Sequence, residues 1–128
     1  MFKKVVLLTL VLTLLVATPI FAVDKITVTP ERSTVFMCWG SEIGLHKDNF
    51  VCYSFHDLKD VYASSIEMKL QKYENGTWVT KKTWTSYLTG LGVDISRSYP
   101  ASPGVWRTYA YHKAGGETKI SYSPNFLY

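Results

Sequence analysis

Cys38, His46, Cys52 and His56 are the residue types that hold a borderline-soft metal ion or close a disulfide. Zinc takes thiolate and imidazole ligands tetrahedrally, and its sites usually open with two ligands close together. Here the four candidates are separated by seven, five and three residues, which is no such pattern, so no metal is expected. The two cysteines are the only ones in the chain. An even count in an exported protein reads first as a disulfide, and a Cys38–Cys52 bond would close a ring of about 15 residues, worth roughly 3 kcal/mol by chain entropy. Two reduced thiols are the alternative. Serine, histidine and aspartate all occur, but there is no G-x-S-x-G elbow, no H-E-x-x-H and no phosphate-binding glycine loop. His112 closes an aromatic run and reads as a hydrogen-bonded or solvated strand end, not as a general base. The expectation is a non-enzymatic protein without a cofactor.

Binding chemistry is better represented. Beyond residue 22 the chain holds four Trp, nine Tyr and four Phe. In GVWRTYAYH, residues 104–112, Trp106 and Ala110 fall on one face of a strand while Arg107, Tyr109 and Tyr111 fall on the other. With Trp106 inward, the outward face carries Arg107, Tyr109 and Tyr111 as a ladder, and exposed Tyr and Arg are the residue types of binding hot spots. Aromatic pairs across strands also stabilise sheets without any ligand.

The ladder needs a fold and a compartment. Lys3 and Lys4 precede the apolar run Val5–Ala17, and TPIFA ends at Ala22. A basic start, a short apolar stretch and a small exit residue are the layout of a secretory signal peptide, which predicts a signal peptide over 1–22, a single domain over 23–128 and a secreted, extracellular location without membrane attachment after cleavage. Removing 1–22 takes Lys3 and Lys4, leaving twelve basic against ten acidic residues, a net +2. Nucleic acid binding has no electrostatic footprint at that charge. Asn75-Gly76-Thr77 matches a glycosylation sequon but serves better as a turn.

Along the rest of the chain, short β-branched and aromatic runs alternate with Gly, Pro, Asn and Asp, the pattern of an all-β protein. Strands are expected at 25–29, 33–39, 49–55, 64–73, 77–87, 104–112 and 117–123, with a weaker one at 93–99. About seven strands in this length suit an antiparallel β-sandwich of the immunoglobulin or fibronectin-III kind. Ile66, Met68 and Leu70 alternate with polar residues, so even positions face the core. A two-residue turn on Asn75-Gly76 would place Trp78 and Trp84 on the face away from Ile66. A three-residue loop, Glu74-Asn75-Gly76, would bring both tryptophans onto the core face, with Gly76 left-handed. Since burying a Trp contributes about 2–3 kcal/mol, the three-residue loop with a bulge at Gly76 is predicted. Lys82 then points inward and has to reach an edge or sit at an irregularity.

The set Leu70, Gln71, Lys72, Gly76, Trp78, Gly104, Trp106, Arg107, His112, Gly115 and Ser121 or Ser123, spread over roughly 62–124, resembles a family of small secreted proteins of Gram-positive bacteria whose function is uncharacterised. Trp106 stands where that family usually has Tyr, and residues 30–60 match loosely. The resemblance implies a secreted β-sandwich and no activity. More faintly, GVW followed by a turn and an aromatic-rich last strand is similar to lactococcin-972-like bacteriocins, which would imply a secreted antibacterial protein. The leading expectation is a secreted binding or surface-interaction module whose partner is a cell-wall glycan or another surface protein.

Overall fold

The computed structural model describes residues 33–128; the signal peptide over 1–22 and the strand expected at 25–29 lie outside them. The described residues form an antiparallel sheet of six strands: β1 (Phe36–His46), β2 (Asn49–Glu74), β3 (Thr77–Pro100), β4 (Val105–Ala114), β5 (Glu117–Tyr122) and β6 (Phe126–Leu127). Two strands are much longer than their neighbours. The segments expected as separate strands at 49–55 and 64–73 are one strand, β2, and those at 77–87 and 93–99 are one strand, β3. No Pro or Gly interrupts β2 over its 26 residues, so nothing in it stops the ladder.

Strand β3 runs along one edge of β2 for nearly its whole length. The other edge is shared: β1 takes residues up to Leu58, and β4 takes Ser64 to Lys72. Between Asp57 and Tyr62 the register with β3 shifts, as at a bulge, where a strand bends and twists. The bend is large. Phe50 lies 4.9 Å, ring centre to ring centre, from Trp106, although Trp106 pairs with Lys72, twenty-two residues further along the same strand; a straight strand of that length spans on the order of 70 Å. The sheet is therefore curled into a half-barrel. Among the described residues, two long strands stand where the sequence suggested four shorter ones, because one long hairpin folds back instead of breaking.

The concave side carries the core. Phe50, Cys52, Ile66, Met68, Leu70, Ile95, Trp106 and Ala110 form its main cluster, and even positions of β2 face inward as the alternation predicts. Trp106 is anchored by its indole N–H, which donates to the Ser102 carbonyl at 2.9 Å.

The Asn75-Gly76 turn corrects the expected loop. Glu74 pairs with Thr77 and Tyr73 with Trp78, a two-residue turn whose residues both have positive φ, 50° and 81°, the type I′ geometry that matches strand twist. The tryptophans part as a result. Trp78 lies on the convex face, its ring 5.2 Å from that of Tyr73. Trp84 pairs with Met68 and packs on the core, because a register shift between Leu70 and Gln71 leaves Lys81 as an extra residue. Core burial does set the register of Trp84, but the irregularity sits five residues beyond the turn. Lys82, beside that bulge on edge strand β3, is exposed.

Candidate functional site

The convex face of β2, β3, β4 and β5 holds the three residues singled out in the sequence. Successive odd positions put Arg107, Tyr109 and Tyr111 on it, while Trp106 and Ala110 are buried on the other side. The Arg107 guanidinium lies 4.2 Å from the Trp78 ring centre and 4.5 Å from that of Tyr122, within cation–π range of both. Its Nε donates to Gln71 Oε1 at 2.9 Å, which fixes the plane of the fork. Tyr109 packs with its ring centre 4.9 Å from those of both Tyr111, at right angles, and Tyr122, tilted, and is 8% exposed. Burial, with the neighbouring Tyr111 hydroxyl, pushes its phenol far above the usual range, so it stays neutral. Tyr109 is thus the packed middle of the face, and the accessible surface around it comes from Tyr73, Ile120 and Tyr122, each about half exposed. Sequence reading missed Tyr73, Trp78 and Tyr122 as members, because the two-residue turn that puts Trp78 on this face is the one that core burial disfavoured.

The cysteines do not meet. Cys38 is on the convex side, opposite Asp57 and exposed, whereas Cys52 is fully buried opposite Ile43. Five residues of β1 separate those positions, roughly 16 Å at strand spacing, and opposite faces separate them further, so both are free thiols. The physical reason is parity: a bulge between Phe36 and Cys38 turns Cys38 outward. Nor do Cys38, His46, Cys52 and His56 converge, since His46 is exposed at the β1–β2 turn.

A second constellation lies in the concave side. His56 on β2 and His112 on β4 are buried and bond Nδ1 to Nδ1 at 3.1 Å. Beyond them, His56 Nε2 is 3.0 Å from Ser64 Oγ and His112 Nε2 is 2.7 Å from Ser121 Oγ. Ser121 continues to Ser41 at 2.6 Å and Ser41 to Ser54 at 2.7 Å. One end has a fixed direction, because Ser64 Oγ donates to the Leu88 carbonyl at 3.2 Å. Having spent its proton, Ser64 accepts from His56 Nε2–H. His56 Nδ1 is then bare and accepts from His112 Nδ1–H, and His112 Nε2 accepts from Ser121. Both imidazoles are neutral in this arrangement, each ring using one donor and one acceptor. Burial favours the same state, holding His112 down to about 3 and lowering His56 against the opposing pull of Asp57. The Phe36 ring packs at right angles to His56, centre to centre 5.2 Å.

Ser64, 7% exposed, is also one of the residues lining an open depression of about 650 Å³ at the β4–β5 turn, with Tyr87, Leu88, Lys113, Gly115 and Glu117 among the others. Lys113 is two residues beyond Tyr111 on the same face of β4, so the aromatic face runs up to the rim of the depression. Sequence reading named His56 and His112 separately; nothing local to either shows that β2 and β4 pair Ile66 with His112 while the bend brings His56 back over them. No known family model matches this chain, and no curated protein matches it.

Proposed function

We propose that the protein is secreted, with residues 1–22 removed as a signal peptide, and that the domain over 23–128 is a binding module for cell-wall glycan. The supporting observation is the Arg107 guanidinium held between the Trp78 and Tyr122 rings, flanked by the half-exposed Tyr73, Tyr122 and Ile120. Rings on such a face stack on sugars at little entropic cost, because packing has already ordered them. Gln71, bonded to Arg107, and Lys69, 5.4 Å from the Tyr111 ring, supply hydrogen-bonding groups among the aromatics. The half-barrel serves as an open form of the sandwich architecture inferred from the strand pattern, a stiff plate displaying one face.

The test is co-sedimentation of the secreted protein with purified cell-wall sacculi. Because Tyr109 is packed and Tyr122 is not, the informative variants are Tyr73→Ala and Tyr122→Ala together, then Arg107→Ala. Binding should fall by at least about tenfold in each, since truncating a hot-spot aromatic or arginine costs about 1–3 kcal/mol of binding energy. Undiminished binding in both excludes this face, and growth inhibition of related bacteria by the unbound protein would favour an antibacterial role instead.

A further inference from the structure

We infer that Ser64, His56 and His112 form a nucleophile–base–orienter relay that makes the depression at the β4–β5 turn an acyl-transfer site for small carboxylic esters. This does not rest on glycan binding, and it departs from the non-enzymatic expectation, which was drawn from the absence of sequence motifs. A relay of this kind is recognised by geometry and not by position in the chain. The geometry is present: a serine hydroxyl within hydrogen-bond reach of an imidazole, whose other nitrogen is fixed by a third group. Ser64 Oγ to His56 Nε2 is 3.0 Å and His56 Nδ1 to His112 Nδ1 is 3.1 Å. Ser121 holds the far nitrogen of His112, and Ser64 is the member that lines the depression.

The chain of hydrogen bonds can run in two directions without moving a ring. In the direction anchored on the Leu88 carbonyl, Ser64 accepts from His56 and is idle. In the reverse direction Ser64 donates to His56 Nε2, His56 Nδ1–H donates to His112 Nδ1, and His112 Nε2–H donates to Ser121. A substrate that displaces the Ser64–Leu88 bond, the longest link of the chain at 3.2 Å, selects the reverse direction. Ser64 Oγ then attacks the ester carbonyl carbon as its proton passes to His56 Nε2. The bond from that carbon to the alkoxide breaks, and the departing oxygen takes the proton from His56. Water next attacks the acyl-serine, gives its proton to His56, and releases the carboxylic acid as Ser64 recovers its hydroxyl proton. Of the residues lining the depression, the Gly115–Gly116 turn offers backbone N–H groups for the developing oxyanion, whereas Lys113 pairs with Ser65 and projects from the other face of the sheet.

The third group is a neutral imidazole, not a carboxylate, so it orients His56 but stabilises the imidazolium less. That limits the site to esters with good leaving groups and excludes amides. A depression of about 650 Å³ is of the size that holds a small molecule.

The test uses the purified full-length chain with a fluorophosphonate probe and with p-nitrophenyl acetate. One phosphonyl group should appear on Ser64 by peptide mass spectrometry and vanish in Ser64→Ala. His56→Gln should slow labelling and ester turnover by about 10²-fold, the usual range for a lost general base. His112 is a positioning residue: His112→Gln should slow both by about tenfold and shift the pH midpoint of labelling, which a purely structural role would leave in place. Circular dichroism confirms that each variant is folded. A folded wild-type chain that leaves Ser64 unlabelled overturns the proposal outright, as does labelling at the wild-type rate in His56→Gln.

Discussion

His56 and His112 meet Nδ1 to Nδ1 at 3.1 Å inside the half-barrel, each from a strand that pairs with different neighbours. The two cannot both take a second proton without losing this bond, since imidazolium nitrogens only donate, and burial penalises the charge on either ring. The folded state therefore resists protonation, with His112 held down to about 3, whereas an unfolded histidine titrates near 6.5. The unfolded chain binds more protons below that value, so stability is flat above pH 6.5 and falls as pH drops from 6.5 towards 3. One such group costs about 1.4 kcal/mol per pH unit. Urea melts should show a loss of about 3 kcal/mol between pH 6.5 and 4.5, and His112→Gln should flatten that slope by about one proton. An unchanged midpoint over this range would mean the pair is not buried.

The free thiols separate cleanly by face. Cys38 is exposed, but burial of its sulfur and the Asp57 carboxylate 3.3 Å away both raise its pKa, so a thiol reagent should modify it slowly at pH 7 and faster as pH rises. Cys52 is fully buried and should react only on unfolding. Native titration should count one thiol and denatured titration two. Cys38→Ser should shift stability by less than about 0.5 kcal/mol, as expected of a surface change. A mass lower by two hydrogens in the oxidised protein would contradict the register.

Alternation carried much of this fold into view. Ile66, Met68 and Leu70 declared the inward side of β2, and Trp106 against Arg107, Tyr109 and Tyr111 declared the two sides of β4, because strand parity is a local property. Two bulges were hidden. The one at Lys81 decides which tryptophan reaches the core, and the shift between Asp57 and Tyr62 decides that β2 doubles back. Both follow from contacts between residues far apart in sequence. The same cause hid the histidine pair: β2 brings in His56 and β4 brings in His112, and their approach exists only once the long hairpin has curled.

The Lys81 bulge has a direct test. It lets the twisted Asn75-Gly76 turn coexist with a half-buried Trp84 packed on the core, and the Lys81 ammonium bonds Glu74 at 2.8 Å. Deleting Lys81 removes the extra residue and turns Trp84 and every later β3 residue to the opposite face. Urea denaturation should then show a loss above about 3 kcal/mol, comparable to removing a large core side chain. Lys81→Ala keeps the residue count and should cost less than about 1 kcal/mol, the scale of a surface ion pair. Similar losses in the two variants would mean the bulge does not set the register.

Gly92 marks the bend itself. It pairs with Asp57 at the edge of the register shift, and a Cβ placed there would lie 2.5 Å from the His56 carbonyl oxygen. That oxygen is backbone and cannot swing aside, so Gly92→Ala has to push β3 away from β2 at the point where the sheet folds over. The strands carrying Phe50 and Trp106 would then separate, and His56 would lose its approach to His112. The expected outcome is a loss of about 2–3 kcal/mol, within the range for overpacking, together with faster hydrogen exchange at Ser54 to Leu58. Gly44→Ala is the matched control, because a Cβ there meets open space, and it should leave both readouts within about 1 kcal/mol of wild type. Equal effects at the two glycines would show that the close approach of β3 to His56 is not what holds the bend.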